Sequence, residues 1–70
     1  MRKEEDILYE TAHYWLTWDK FKDRRVAHIW KFGLTHSVLA GTIDLRDREA
    51  SIERAVAEID EREAQLARHA

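Results

Sequence analysis

The sequence predicts an α+β domain, a three-stranded antiparallel sheet with a long C-terminal helix packed on one face. Three observations predict it. The stretch from Tyr14 to Leu34 holds all three tryptophans and both phenylalanines, residue types that favour strands. A charged run over 19–25 divides that stretch into two arms of similar length, as a hairpin requires. Residues 47–68 are nearly all good helix formers and carry an apolar stripe at helical spacing. Seventy residues make a single small domain, 1–70, with a thin core.

In chain order, residues 1–11 form a lead-in or a short helix. Ile7, Leu8, Thr11, Ala12, Trp15 and Leu16 share a helical face, which favours a short helix near 3–10. The alternative is an extended lead-in beginning at Ile7 and Tyr9. Residues 12–45 form a β-meander. Within its hairpin, register decides which side chains share a face. Pairing even positions with even positions collects Tyr14, Leu16, Trp18, Val26, His28, Trp30 and Phe32 on one greasy side. His13, Trp15, Thr17, Asp19, Arg25, Ala27, Ile29 and Lys31 then share a mixed side. That register supplies a core and leaves the other side wettable, so it is the expected one. Gly33 ends the second arm, 34–37 is a turn, and a third strand runs over 38–45 with Gly41 inside it.

The helix is expected over 47–68. Asp47, or Asp44 with an earlier start, is the N-cap, and Arg68 and His69 suit the negative C-terminal end. Ile52, Ala55, Val56, Ile59 and Leu66 form the stripe, interrupted by Glu63. Arg54, Glu58 and Arg62 are spaced for i,i+4 ion pairs. An all-α helical hairpin is the competing fold, because Val26, Ile29, Trp30, Gly33 and Leu34 also satisfy helical spacing and the chain has no proline.

Composition narrows the function. There is no cysteine, so neither disulfides nor a thiolate zinc site is expected. The first ten residues lack the apolar core of a signal peptide, and no apolar run approaches a membrane span, so a cytoplasmic protein with no membrane partner is expected. Net charge is −2. It is unevenly spread: 11–43 carry five cations against two anions, and 44–70 carry five against eight. His13, His28, His36 and His69 contain no close ligand pair, so no metal and no cofactor is expected. His36, Ser37 and Asp44 or Asp47 have the residue types of a hydrolase triad without its defining geometry. No catalytic residue is assigned, and the chain is not expected to be an enzyme.

Three surfaces carry interaction signals. Trp15, Thr17, Ala27 and Ile29 on the mixed side are expected to form a partner or dimer interface. Lys20, Lys22, Arg24, Arg25 and Lys31 are spaced to contact nucleic-acid phosphates. Glu53, Glu58, Asp60, Glu61 and Glu63 make an acidic docking surface on the helix. The expected function is a small non-enzymatic protein-interaction module, binding a protein partner, itself as a homodimer, or both. A phage- or plasmid-type accessory protein that inhibits or modulates a host nucleic-acid-handling complex, in the anti-CRISPR manner, would fit. The alternative is a small nucleic-acid-binding regulator that uses the basic aromatic hairpin.

Overall fold

The computed structural model describes residues 7–68. These form β1 (Ile7–Glu10), β2 (Tyr14–Phe21), β3 (Arg24–Lys31), β4 (Val38–Ile43) and α1 (Arg48–Arg68). The sheet is antiparallel in the order β1-β2-β3-β4, with α1 across one side. The α+β class is as expected; the all-α alternative is not what forms. The sheet has four strands where three were expected.

The additional strand is β1. The described part of the expected N-terminal helix, from Ile7 onward, is extended and pairs with β2; 1–6 lie outside the described residues. The helical reading put Trp15 and Leu16 on one face, but in β2 they point to opposite sides of the sheet. Pairing β1 with β2 satisfies the backbone groups on the outer side of β2, which a short helix would leave bare.

The hairpin register is opposite to the one expected. Trp15 lies across from Trp30, Leu16 from Ile29 and Trp18 from Ala27, so even positions pair with odd ones. The cause is the turn. Phe21 pairs with Arg24, leaving Lys22 and Asp23 as a two-residue loop, and an even loop forces this parity. Lys22 has φ 62° while Asp23 is not in the positive-φ region, the sign pattern of a type II′ turn. That first turn position is ordinarily glycine, because a side chain there crowds the backbone.

The core lies between sheet and helix. Tyr14, Leu16, Ala27 and Ile29 meet Ala55 and Ile59, with Tyr9, Trp18, Ala40, Ile43, Ile52 and Val56 packed around them. Ser51, Ala55 and Ile59 recur at every fourth position and are buried. The small side chains of Ala27, Ser51 and Ala55 keep the two layers close. Asp47 caps α1: its Oδ2 accepts the Ala50 N–H at 2.9 Å. The Ser51 hydroxyl accepts the Leu45 N–H at 3.0 Å and fixes the approach to the helix. At Gly33 a Cβ would stand 2.2 Å from the His36 carbonyl oxygen, so the β3–β4 loop requires glycine there.

β4 ends at Ile43, short of the expected Leu45, and its pairing with β3 shifts by one residue between Leu39 and Gly41. The irregularity that Gly41 suggested therefore falls on its neighbour, Ala40.

The register places Lys20 directly opposite Arg25 on the helix side, near the hairpin tip. Like charges facing each other across two strands are unfavourable. Lys20→Glu is therefore expected to stabilise the domain by roughly 0.2–1 kcal/mol, read as a higher urea midpoint with unchanged m-value.

Candidate functional site: the sheet side opposite the helix

Alternation along β2 and β3 puts Trp15, Thr17, Asp19 and Phe21 on the side away from α1, with Arg24, Val26, His28 and Trp30. The aromatic rings there form one continuous row. Trp15 and Trp30 stack at 5.2 Å between centroids, their planes 15° apart. Phe32 follows Trp15 at 6.3 Å, and His28 stacks on Trp30 at 6.1 Å. Phe21 meets His28 edge-on at 6.2 Å. The row therefore reads Phe32, Trp15, Trp30, His28, Phe21. Each contact between rings of this kind adds about 0.5–1.5 kcal/mol beyond the area it buries.

No second layer of the described residues covers this side, yet its inner members are buried. Trp15 is 5% exposed and His28 6%; each is flanked by neighbouring rings, and Ser37 of the β3–β4 loop meets the Trp15 indole. The polar edges are satisfied within the same surface. The Trp15 indole donates to the Ser37 hydroxyl and the Trp30 indole to the Thr17 hydroxyl, both at 3.0 Å. His28 Nδ1 lies 3.0 Å from the Val26 carbonyl oxygen, which can only accept, so Nδ1 carries the proton. Exposed apolar surface is concentrated at the ends and flank, at Phe21 (44%) and Leu39 (45%). Leu39 pairs with Trp30 and so joins the same side.

Beside the row, near the hairpin tip, lies a shallow cleft of about 330 Å³ lined by Phe21, Lys22, Asp23, Arg24, Val26, Thr42 and Asp44. Arg24 and Asp44 form an ion pair at 2.5 Å within it. The Lys22 ammonium sits 5.7 Å from the Phe21 ring centroid.

The expected interface residues are divided by the sheet. Ile29 and Ala27 lie fully buried beneath α1, so they present no surface to a partner. Trp15 and Thr17 are on the aromatic side but under their neighbours. The exposed apolar residues on that side are Phe21 and Leu39, with Trp30 and Phe32 half-buried. The signal that would have found them was the turn length, which sets the parity.

The five cations are also dispersed. By alternation Lys20, Arg25 and Lys31 lie on the helix side, and Arg24 lies on the aromatic side. Lys31 is seven residues along β3 from Arg24, about 23 Å at strand rise. They do not form one phosphate track with the aromatic row.

Most of the acidic surface is engaged within the domain. Glu58 pairs with Arg62 at 3.0 Å, and Glu61 with Arg68 at 3.4 Å. Asp60 accepts the Tyr9 hydroxyl at 2.6 Å, which pushes the Tyr9 pKa above its usual value. Glu63, the interruption in the apolar stripe, is a clasp. Its carboxylate accepts the Thr11 hydroxyl at 2.5 Å, the His13 N–H at 2.8 Å and His13 Nδ1 at 2.6 Å. It thereby ties the β1–β2 connection to the C-terminal half of α1.

The remaining candidates have other partners. His36 Nδ1 lies 3.0 Å from the Thr35 hydroxyl, Ser37 serves Trp15, Asp44 pairs with Arg24 and Asp47 caps the helix. His69 lies outside the described residues. Among the described residues no cluster of three potential metal ligands occurs, and no helix is long and apolar enough to cross a membrane. No protein-family model, curated protein or solved structure matches the chain.

The Thr11 hydroxyl foremost, and then His13, hold the Glu63 pKa down to about 2 from an ordinary 4.5, against the opposing effect of burial. A carboxylate with a depressed native pKa contributes stability above its unfolded pKa and loses it as pH falls. The clasp is thus intact above about pH 4.5 and released towards pH 2. Thermal unfolding measured from pH 7 to pH 2 is expected to show a smaller acid loss in Glu63→Gln than in wild type, with the variant less stable at pH 7.

Proposed function

We propose that this domain is a protein-interaction module whose binding surface is the aromatic sheet side opposite α1. One observation carries the proposal: a continuous row of five rings lies on a sheet side that no described element covers. Aromatic side chains anchor protein interfaces because they bury large area for little lost freedom. Rings locked by stacking, with their N–H groups already bonded, have little conformational freedom left to lose on binding.

Charge supports a protein rather than a phosphate backbone as partner. The cations assigned to the aromatic side are Lys22 and Arg24; Arg24 is paired with Asp44, and Asp19 shares the side. An acidic helix surface would rest on the outward Glu53 and Glu61, because Asp60 and Glu63 hold the domain's own β1–β2 region. The aromatic side therefore takes the docking role.

A second reading has one observation in its favour. Lys20 and Arg25 face each other on the helix side, with Arg48 over the Trp18 ring at 5.8 Å, so cations gather there at an energetic cost. Phosphate contact would explain the retention of that cost.

Phe21 is exposed enough that Phe21→Ser is expected to leave the fold intact. In affinity capture from the source cells, a protein partner recovered by wild type is expected to fall at least tenfold with Phe21→Ser. Arg54→Glu, on the exposed part of α1, should leave recovery unchanged. Recovery indifferent to Phe21→Ser would overturn the proposal. Oligonucleotide binding that weakens steeply from 50 to 200 mM salt and is lost in Lys20→Glu/Arg25→Glu would establish the second reading instead.

A further inference from the structure

The two edges of the sheet are treated differently by the sequence. β1 is four residues long, has a shifted register, ends in Glu10, and follows Arg2, Lys3, Glu4, Glu5 and Asp6 in sequence. Short length, irregularity and charge are the ordinary means of preventing edge-to-edge pairing. β4 lacks most of them. From Phe32 to Ile43, twelve residues, there is no Asp, Glu, Lys, Arg or Pro. No described strand pairs with its outer side. Among the described residues, four of the seven large apolar side chains that are exposed flank or belong to this edge: Leu34, Val38, Leu39 and Leu45.

The shift at Ala40 is the protection that β4 does carry, and it has a second consequence. Leu39 pairs with Trp30 and Thr42 with His28, so both lie on the aromatic side. Val38 pairs with Lys31 and Ile43 with Ala27, so both lie on the helix side. Residues opposite each other in an antiparallel pair must share a side. A two-fold axis passing between Ala40 and Gly41 meets that condition. It sets Leu39 opposite Thr42 of a second copy and Val38 opposite Ile43. Moving the register by one residue sets Leu39 against Ile43, which lie on different sides, and fails. In the matching register Asp44 falls opposite Ser37 rather than another carboxylate, and Leu45 approaches the loop that carries Leu34. The strand is complementary to itself, as an isologous interface requires.

We infer that two copies of this chain pair antiparallel along β4, forming one continuous eight-stranded sheet. The axis is perpendicular to the sheet, so both helices lie on one side and both aromatic rows lie on the other. This pairing does not depend on what the aromatic side binds, and it gives a partner two adjacent copies of that surface.

The chain has no native cysteine, which permits a direct test. Opposed residues in an antiparallel pair have Cα atoms about 4.5–5.5 Å apart, within disulfide range. Residues 39 and 42 of one chain are separated by about 10 Å of strand and cannot bridge each other. Full-length Leu39→Cys/Thr42→Cys is therefore expected to oxidise to a covalent dimer. Light scattering and sedimentation of wild type should give twice the chain mass at tens of micromolar. Thr42→Lys should raise the dissociation constant at least tenfold with an unchanged circular dichroism spectrum, while Leu8→Lys on the β1 edge has no effect. A wild type that stays monomeric to millimolar concentration, or failure of the cysteine variant to cross-link, overturns the inference. So does a dimer insensitive to Thr42→Lys but dissolved by Phe21→Ser, which would place self-association on the aromatic side. Loss of a captured partner with Phe21→Ser while the dimer persists would separate the two surfaces.

Discussion

The two-residue turn at Lys22 and Asp23 is the constraint on which the rest depends. Because the loop holds an even number of residues, every even position of β2 faces an odd position of β3. That one parity sends Leu16 and Ile29 to the helix and Trp15 and Trp30 to the opposite side. A loop one residue longer would exchange the sides of one whole strand, because side-chain direction alternates with period two. The turn persists with a lysine at φ 62°, a sparsely populated conformation that costs a side chain roughly 1–3 kcal/mol. The packing on both sides of the sheet must outweigh that cost, since it is the packing that the wrong parity would destroy.

The two sides are stabilised by different physics. Beneath the helix, aliphatic side chains and small residues exclude water by close layer packing. On the other side there is no second layer among the described residues, and burial comes from rings standing against one another. Trp15 at 5% exposure is as well hidden as Tyr14 at 6%, although Tyr14 lies under the helix and Trp15 does not. Trp15 and Trp30 hide their faces against each other and bond their indole N–H groups to Ser37 and Thr17. A small domain with a thin core can in this way shield both sides of its sheet with a single helix.

Much of this architecture was legible. The C-terminal helix, its Asp47 cap and its buried stripe follow from composition and spacing, because local propensity and tertiary packing agree there. The hairpin and its arms were visible in the aromatic clustering. Parity was not, because Lys22-Asp23 lacks the glycine that ordinarily marks a two-residue hairpin turn. Hydrophobicity alone assigns all the aromatics to one side, whereas here stacked rings bury one another on the side away from the helix. β1 was obscured by an accidental helical spacing through Trp15 and Leu16. Glu63 looked like a flaw in the helix stripe, and its three bonds to Thr11 and His13 join parts of the chain fifty residues apart. No local pattern encodes such a contact.

These differences bear on where a partner can act. The part of the helix side under the C-terminal half of α1 is closed: Arg62 lies over the Tyr14 ring, Tyr9 reaches Asp60, and Glu63 fastens the β1–β2 connection. Binding there would first have to break contacts that hold the domain together. On the aromatic side Phe21 is exposed and Trp30 and Phe32 are half-buried, and no described helix or strand lies across them. The most exposed ring, Phe21, stands beside a cleft floored by the Arg24–Asp44 ion pair, next to the turn that sets the register. The same two residues that sort the core from the surface thus also place the most exposed ring of the row. For a chain of this size, specifying the fold and specifying which rings reach the surface are one act.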